Sequence, residues 1–301
     1  MTTIYLHIGT HKTGTTTLQK FLSSNRQKLL EKRVLYPSSP DCHHKLLQNK
    51  GKDKPWGLNL DEWKYLIQEI KSENPEKIVV SSENFCRLYF EDVHKVKDNL
   101  SGYNTKIIVY IRRQDDYFAS LYCQAIKTAH HWDRLKKHIS DNKTYDNYYQ
   151  MLEPWKQAFG KENLIIRVYE KEQLSDGLLN DFLKSIHITS EGLDFKKAQQ
   201  TNISPSIRTI KIIQLLSDIA IGKMSISKKK MTGLYYTYLI PDTNLSRLIA
   251  NLPDFLLSNE LMTTQERVDI LKEFEESNRK VAQEYLGRPD GQLFYSTPIV
   301  G

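Results

Sequence analysis

The stretch Ile4-Tyr5-Leu6-His7-Ile8-Gly9-Thr10-His11-Lys12-Thr13-Gly14-Thr15-Thr16-Thr17-Leu18-Gln19 begins as an apolar run, stops at a glycine and resumes beyond a second glycine. Ile4–Gly9 has the composition of a strand covered on both faces. From Thr15 to Leu30 the residues Leu18, Phe21, Leu22, Leu29 and Leu30 recur at near-helical spacing. Strand, short loop and helix together make an anion site. The first N–H groups of a helix have no intrahelical partner and carry positive partial charge, and glycines let the backbone wrap whatever binds there. Gly9–Thr17 adds one lysine and several hydroxyls.

Working outward, short β-rich runs alternate with helical patterns through the first half, which predicts an α/β fold. Ile78–Val80 and Lys106–Ile111 are further strands, each too apolar for an exposed edge, and Leu164–Val168 is a fourth. Helices are expected from Asn59 or Asp61 through Ile70, from Gln114 to Lys127, and from Leu174 to Ser185. Beyond about residue 200 the chain turns helical, with Ile207–Ile219 and a long terminal helix over Gln265–Leu286. Ser206 is placed to cap the first of these, leaving Arg208 for an anion. Residues 223–248 are poorly periodic and suit a lid or substrate-side insertion, and their Lys228-Lys229-Lys230 run suits an exposed loop. No Pro/Gly-rich linker divides the chain, so residues 1–301 are expected to form a single domain.

Composition narrows the function. Of 301 residues, 39% are hydrophobic and 26% charged, ordinary values for a globular protein. No apolar run is long enough for a transmembrane helix, and the start lacks a signal-peptide pattern, so the expected location is the cytoplasm. Cys42, Cys86 and Cys123 form no CxxC pair, which argues against both a disulfide framework and a thiolate metal site, and no metal is expected. The net charge of +7 suits an anionic ligand but is too modest to indicate nucleic acid.

The loop is not built for a nucleoside triphosphate. Walker A is G-x-x-x-x-G-K-[ST], with its lysine on the β/γ-phosphates. Gly9 and Gly14 have that spacing, yet Thr15 follows Gly14 and the lysine, Lys12, precedes it. No predicted strand ends in an aspartate for Mg²⁺. Instead, Lys12-Thr13-Gly14-Thr15-Thr16 resembles the 5′-phosphosulfate loop, K-[ST]-G-T-[ST], of the PAPS-dependent sulfotransferases of bacterial, carbohydrate type. The resemblance implies that Thr10, His11, Lys12, Thr13, Gly14, Thr15 and Thr16 hold the donor, and that Lys12 bridges the phosphosulfate and assists departure of the leaving phosphate. A mobile ammonium suits that step, because charge builds on the bridging oxygen.

A second constellation follows the strand that ends at Ile111. Arg112 stands at its end and Ser120 eight residues later, on the next predicted helix. The same family carries a strand-end arginine and a serine at that spacing for the 3′-phosphate, and an arginine fork donates two hydrogen bonds at once. Arg113 could exchange roles with Arg112, but the spacing favours Arg112.

Transfer to a hydroxyl also needs a proton acceptor. Glu83, just past the Ile78–Val80 strand, is the first choice, since the resemblance places a Glu or His base there. His43 and His44, in the polar loop after Pro37, are rivals; His11 is expected to shape the site, and His7 to pack against a helix.

The resemblance implies a P-loop NTPase-like fold: a central parallel sheet flanked by helices, with a helical C-terminal portion. It implies in-line sulfuryl transfer from PAPS, with PAP as product, to a hydroxyl or amine of a small-molecule or oligosaccharide acceptor, expected to be a carbohydrate. The competing classes are a P-loop kinase or phosphotransferase, and a non-catalytic anion- or glycan-binding protein.

Overall fold

The computed structural model describes residues 2–38, 43–51, 56–127, 135, 139, 147–196, 206–222, 243–254 and 256–297. Most of the 223–248 segment, with Lys228–Lys230, lies outside them, as do Cys42 and Thr201–Pro205. In chain order β1 (Thr3–His7) leads to α1 (Thr15–Ser24), α2 (Arg26–Glu31) and β2 (Val34–Leu35). Next come β3 (Leu47–Asn49), β4 (Trp56–Leu58), α3 (Leu60–Glu73), β5 (Lys77–Ser81) and α4 (Phe90–Asn99). β6 (Asn104–Ile111), α5 (Gln114–Lys127), α6 (Tyr148–Phe159), β7 (Leu164–Val168) and α7 (Gly177–Ser185) follow. The chain continues through α8 (Ile207–Gly222), α9 (Asn244–Ala250) and α10 (Thr264–Leu286).

The described residues fall into two compact units. The first draws on Met1–Arg113, Tyr145–Thr201 and Phe274–Thr297, the second on Gln114–Thr144 and Asn202–Glu273.

The first unit is built on a parallel five-stranded sheet in the order β2-β5-β1-β6-β7. Successive residues of a strand point to opposite faces, and here both faces are apolar. Ile4, Leu6, Ile78, Val80, Ile107 and Val109 meet Trp63 of α3, Val93 and Val96 of α4, Leu152 and Trp155 of α6, and Val281 of α10. On the other face Tyr5, Val79, Ile108 and Tyr110 meet Leu18, Phe21 and Leu22 of α1 and Phe182 of α7. Helices on both faces explain why the strands are near-continuous apolar runs. The chain leaves β1 toward β2 on one side and later returns to β6 on the other. The carboxyl end of β1 therefore sits at the switch in winding direction, where open α/β sheets place their ligands.

Two expectations need correction. The helix predicted from Thr15 to Leu30 is broken at Asn25, whose buried amide donates to the Phe21 and Asp194 carbonyls at 2.9 Å each while its Oδ1 accepts the Asp194 N–H at 2.7 Å. Arg208 does not wait for an anion. Its guanidinium pairs with Asp254 and donates to the Leu257 and Ala250 carbonyls.

In the second unit Tyr122 and Ile126 of α5 pack with Ile210 and Ile213 of α8 and Ile249 of α9. Ser206 caps α8 as expected, its Oγ accepting the Thr209 N–H at 3.1 Å. Arg267 bridges Asp115 and Asp116 at the start of α5. No described helix is long and apolar enough to cross a membrane.

Asn25→Ala is expected to lower unfolding free energy by about 1–2 kcal/mol, because it removes three hydrogen bonds of the buried Asn25 amide and strands part-buried backbone groups of Asp194. Asn99→Ala, which removes an exposed bond to Lys95, should change it by about 0.5 kcal/mol or less. Denaturant titration of the two variants checks the contrast.

Candidate functional site

The loop after β1 is tied to the neighbouring strands beyond the strand's own end. Ile8 N–H donates to the Ile108 carbonyl, Tyr110 N–H to Gly9, and Thr10 N–H back to Tyr110, at 2.9, 2.7 and 2.8 Å. Inside the loop the Thr13 hydroxyl donates to the Thr10 carbonyl at 2.7 Å and the Thr10 hydroxyl to Tyr110 at 3.1 Å. Thr10 thus commits both its donors to building the loop. Gly14, at φ +77, precedes α1 in the left-handed region, and a Cβ there would lie 2.5 Å from Leu178 Cδ2. α1 begins without a side-chain cap and without an acid in its first turn, where Thr15 is buried and Thr16 exposed. Its positive end is left facing the loop, as an anion requires.

Glu83 is brought to the same place by backbone. Ser82 N–H donates to His7 and Cys86 N–H to Ile8, at 3.1 Å each, so the short 3-10 turn Glu83–Arg87 is pinned along the end of β1. Gly9 permits this approach. At φ +106 its missing Cβ would lie 3.0 Å from the Glu83 Cα. The carboxylate Oε2 accepts from Gln19 Nε2 at 3.1 Å and lies 3.5 Å from His44 Nε2.

The rival histidines part company. His44 faces Glu83, whereas His43 turns into the core, 1% exposed, against the Tyr36 ring with its Nδ1 accepting the Ser81 N–H at 2.9 Å. Burial lowers the His43 pKa to about 4 and that of His7 to about 3. His11 is also lowered to about 3, first by burial and then by Arg87, His44 and Lys12. All three rings are therefore neutral at pH 7.

Lys12 adopts φ 64 at the head of the loop, and its carbonyl accepts from Arg112 Nη1 at 3.1 Å. The Arg112 guanidinium also lies over the Tyr169 ring, 5.8 Å from its centroid. Arg113 is 6% exposed and donates to the Ser296 carbonyl at 2.8 Å, so it fastens the C-terminal segment. Ser120, half-buried on α5, belongs to the second unit.

Three neighbours escaped the sequence reading. Tyr169 backs both Gly14 and Arg112, Arg87 lies within electrostatic reach of His11, and Gln19 holds Glu83. Only Gln19 left a trace, a polar amide on the helix face shared by Thr15, Leu18 and Leu22. Among the described residues no group of three His, Cys, Asp or Glu side chains is arranged to hold a metal ion.

A family model described as "Sulfotransferase domain" matches residues 4–174. An uncharacterized protein of Archaeoglobus fulgidus is 28% identical over 211 residues, which are 70% of this chain and 54% of that protein. The chain thus spans about half the length of this relative. The crystal structure of a sulfotransferase from Alicyclobacillus acidocaldarius aligns with a TM-score of 0.44 and 14% identity, over 81% of this chain and 98% of that one.

The buried His43 yields a pH prediction. Between its folded value of about 4 and its ordinary 6.5 the unfolded chain binds a proton that the folded chain refuses. Its contribution to stability is therefore complete above pH 6.5 and is lost as the pH falls toward 4, with a slope of up to about 1.4 kcal/mol per pH unit. His43→Asn, whose Oδ1 can take the same N–H, should flatten the acid side of the stability curve in denaturant titrations at several pH values.

Proposed function

The chain belongs to the sulfotransferase domain family, and on that premise we propose that it transfers the sulfuryl group of PAPS to a hydroxyl or amine of an acceptor, a carbohydrate being the expected class. The observation that carries the donor assignment is the bond from Arg112 Nη1 to the Lys12 carbonyl, 3.1 Å. It sets the cation of the 3′-phosphate motif against the loop of the phosphosulfate motif, as a donor with phosphate at both positions requires.

In this reading the α1 N-terminus and the backbone around Thr13–Thr16 hold the 5′-phosphosulfate, where unpaired N–H groups meet an anion. Arg112 binds the 3′-phosphate. Ser120 is assigned there too, on its sequence spacing alone. The acceptor oxygen attacks sulfur in line as the bond from sulfur to the bridging oxygen breaks. Lys12 neutralises the charge that collects on that oxygen, which leaves as PAP. Glu83 takes the proton of the acceptor hydroxyl. Because loop, arginine and carboxylate are fixed before substrate arrives, little reorganisation remains for the chemical step.

PAP and PAPS should raise the melting temperature without Mg²⁺; stabilisation by ATP–Mg²⁺ but not by PAP would overturn the assignment. Lys12→Ala should lower transfer by about 10²–10³-fold, while Arg112→Ala should chiefly weaken PAP binding, by about 10–100-fold in calorimetry. Glu83→Gln should lower kcat by about 10²–10⁴-fold; full turnover by that variant removes Glu83 from the role of base.

A further inference from the structure

Two side-chain networks reach Oε2 of Glu83, one through a hydrogen bond from Gln19 and one through the facing ring of His44. One starts in the core. His7 Nδ1 lies 2.8 Å from Ser81 Oγ, and Gln19 Nε2 reaches both Ser81 Oγ at 3.3 Å and Glu83 Oε2 at 3.1 Å. Ser81 is 0% and Gln19 5% exposed, so this chain is shielded from water. The amide must face Glu83 with its N–H side, because its carbonyl would set two acceptors against each other.

The other chain runs through His44. Its Nδ1 lies 2.6 Å from Ser82 Oγ and 3.4 Å from Asn84 Nδ2. An amide nitrogen only donates, and the Ser82 hydroxyl, which accepts the Asn84 N–H, has its own proton to give. Nδ1 is therefore the acceptor nitrogen, and the ring proton resides on Nε2. Nε2 is the atom that faces Glu83 Oε2, at 3.5 Å, a separation at which the attraction is electrostatic. A histidine in this tautomer has no lone pair turned toward the acceptor.

We infer that Gln19 and His44 are positioning residues that converge on Oε2 of Glu83 and turn its other oxygen, Oε1, toward the acceptor proton. This rests on the proposal that Glu83 is the base. The two donors stabilise the charged carboxylate and fix its plane, so one lone pair is aimed while the other oxygen is occupied. His44 acts through Glu83 rather than on the acceptor.

The test combines kinetics with an unfolding cycle on the full chain. Gln19→Met and His44→Ala should each lower kcat for sulfate transfer from PAPS by about tenfold, with KM for PAPS unchanged. His44→Gln restores an N–H near the place of Nε2–H and should recover kcat to within about threefold of wild type. In urea titrations the destabilisation caused by Gln19→Met should be several-fold smaller, in the unfolding equilibrium constant, when Glu83 is already alanine.

The inference is overturned if His44→Gln is as slow as His44→Ala, which would make His44 itself the base. Wild-type kcat in Gln19→Met, or a loss confined to KM for PAPS, also overturns it. Should the wild-type chain transfer no sulfate from PAPS, the parent reading fails; the unfolding cycle still judges the clamp, and full additivity of Gln19→Met with Glu83→Ala refutes it.

Discussion

The candidate site depends on a hydrogen-bond ladder that outlasts its strand. β1 ends at His7, but residues 8–10 remain zipped to β6 through Ile108 and Tyr110, while His7 and Ile8 accept N–H groups from Ser82 and Cys86. A loop gripped from both sides cannot drift, and neither can the turn that carries Glu83. The grip demands a glycine at position 9, since a Cβ would press on the Glu83 backbone at 3.0 Å. Residue identity, backbone conformation and the placement of a carboxylate are thus one constraint.

Electrostatics follow from that packing. Building the loop this tightly buries His7 and crowds His11 among Arg87, His44 and Lys12, while His43 is buried against Tyr36, and each of these three rings is held well below its usual pKa. Their neutrality keeps further positive charge away from the loop, so the cations around it are Lys12, Arg87 and Arg112. Elsewhere a buried charge is matched directly. Asp181 accepts from the Tyr110 hydroxyl at 2.6 Å and pairs with Arg167. It thereby satisfies the side chain of Tyr110, the strand residue whose own backbone holds the loop.

The sheet was legible because its central strands are buried on both faces, which marks the runs Ile4–Gly9, Ile78–Val80 and Lys106–Ile111. Leu164–Val168, part-buried at the edge, reads as a strand from its β-branched residues. β2 escaped because two residues carry no period, and the β3/β4 hairpin because each arm has only three. The break at Asn25 was invisible for a different reason: its cause is Asp194, 169 positions away. Likewise the spacing to Ser120 favours Arg112 over Arg113, but it is the distant partners, Lys12 for Arg112 and Ser296 for Arg113, that send the two side chains different ways. Local pattern reveals what a residue prefers, whereas long-range partners decide where its side chain goes.

The same distinction divides the site. On the donor side the features that matter are backbone ones: glycines at positive φ, an uncapped helix start, a ladder that continues past the strand. Such features leave a compact motif in the sequence, because few residue types tolerate them. Around Glu83 the organisation is carried by side chains from three separate segments, with Gln19 from α1, His44 from the loop before β3, and Ser82 and Asn84 from the turn after β5. No spacing rule joins residues 19, 44 and 83, and a different set of side chains there would leave the backbone of the loop unchanged. A fold arranged this way can keep one loop while the side chains around Glu83 change residue by residue, which is why the loop leaves a sharp motif in the sequence and the surroundings of Glu83 leave none.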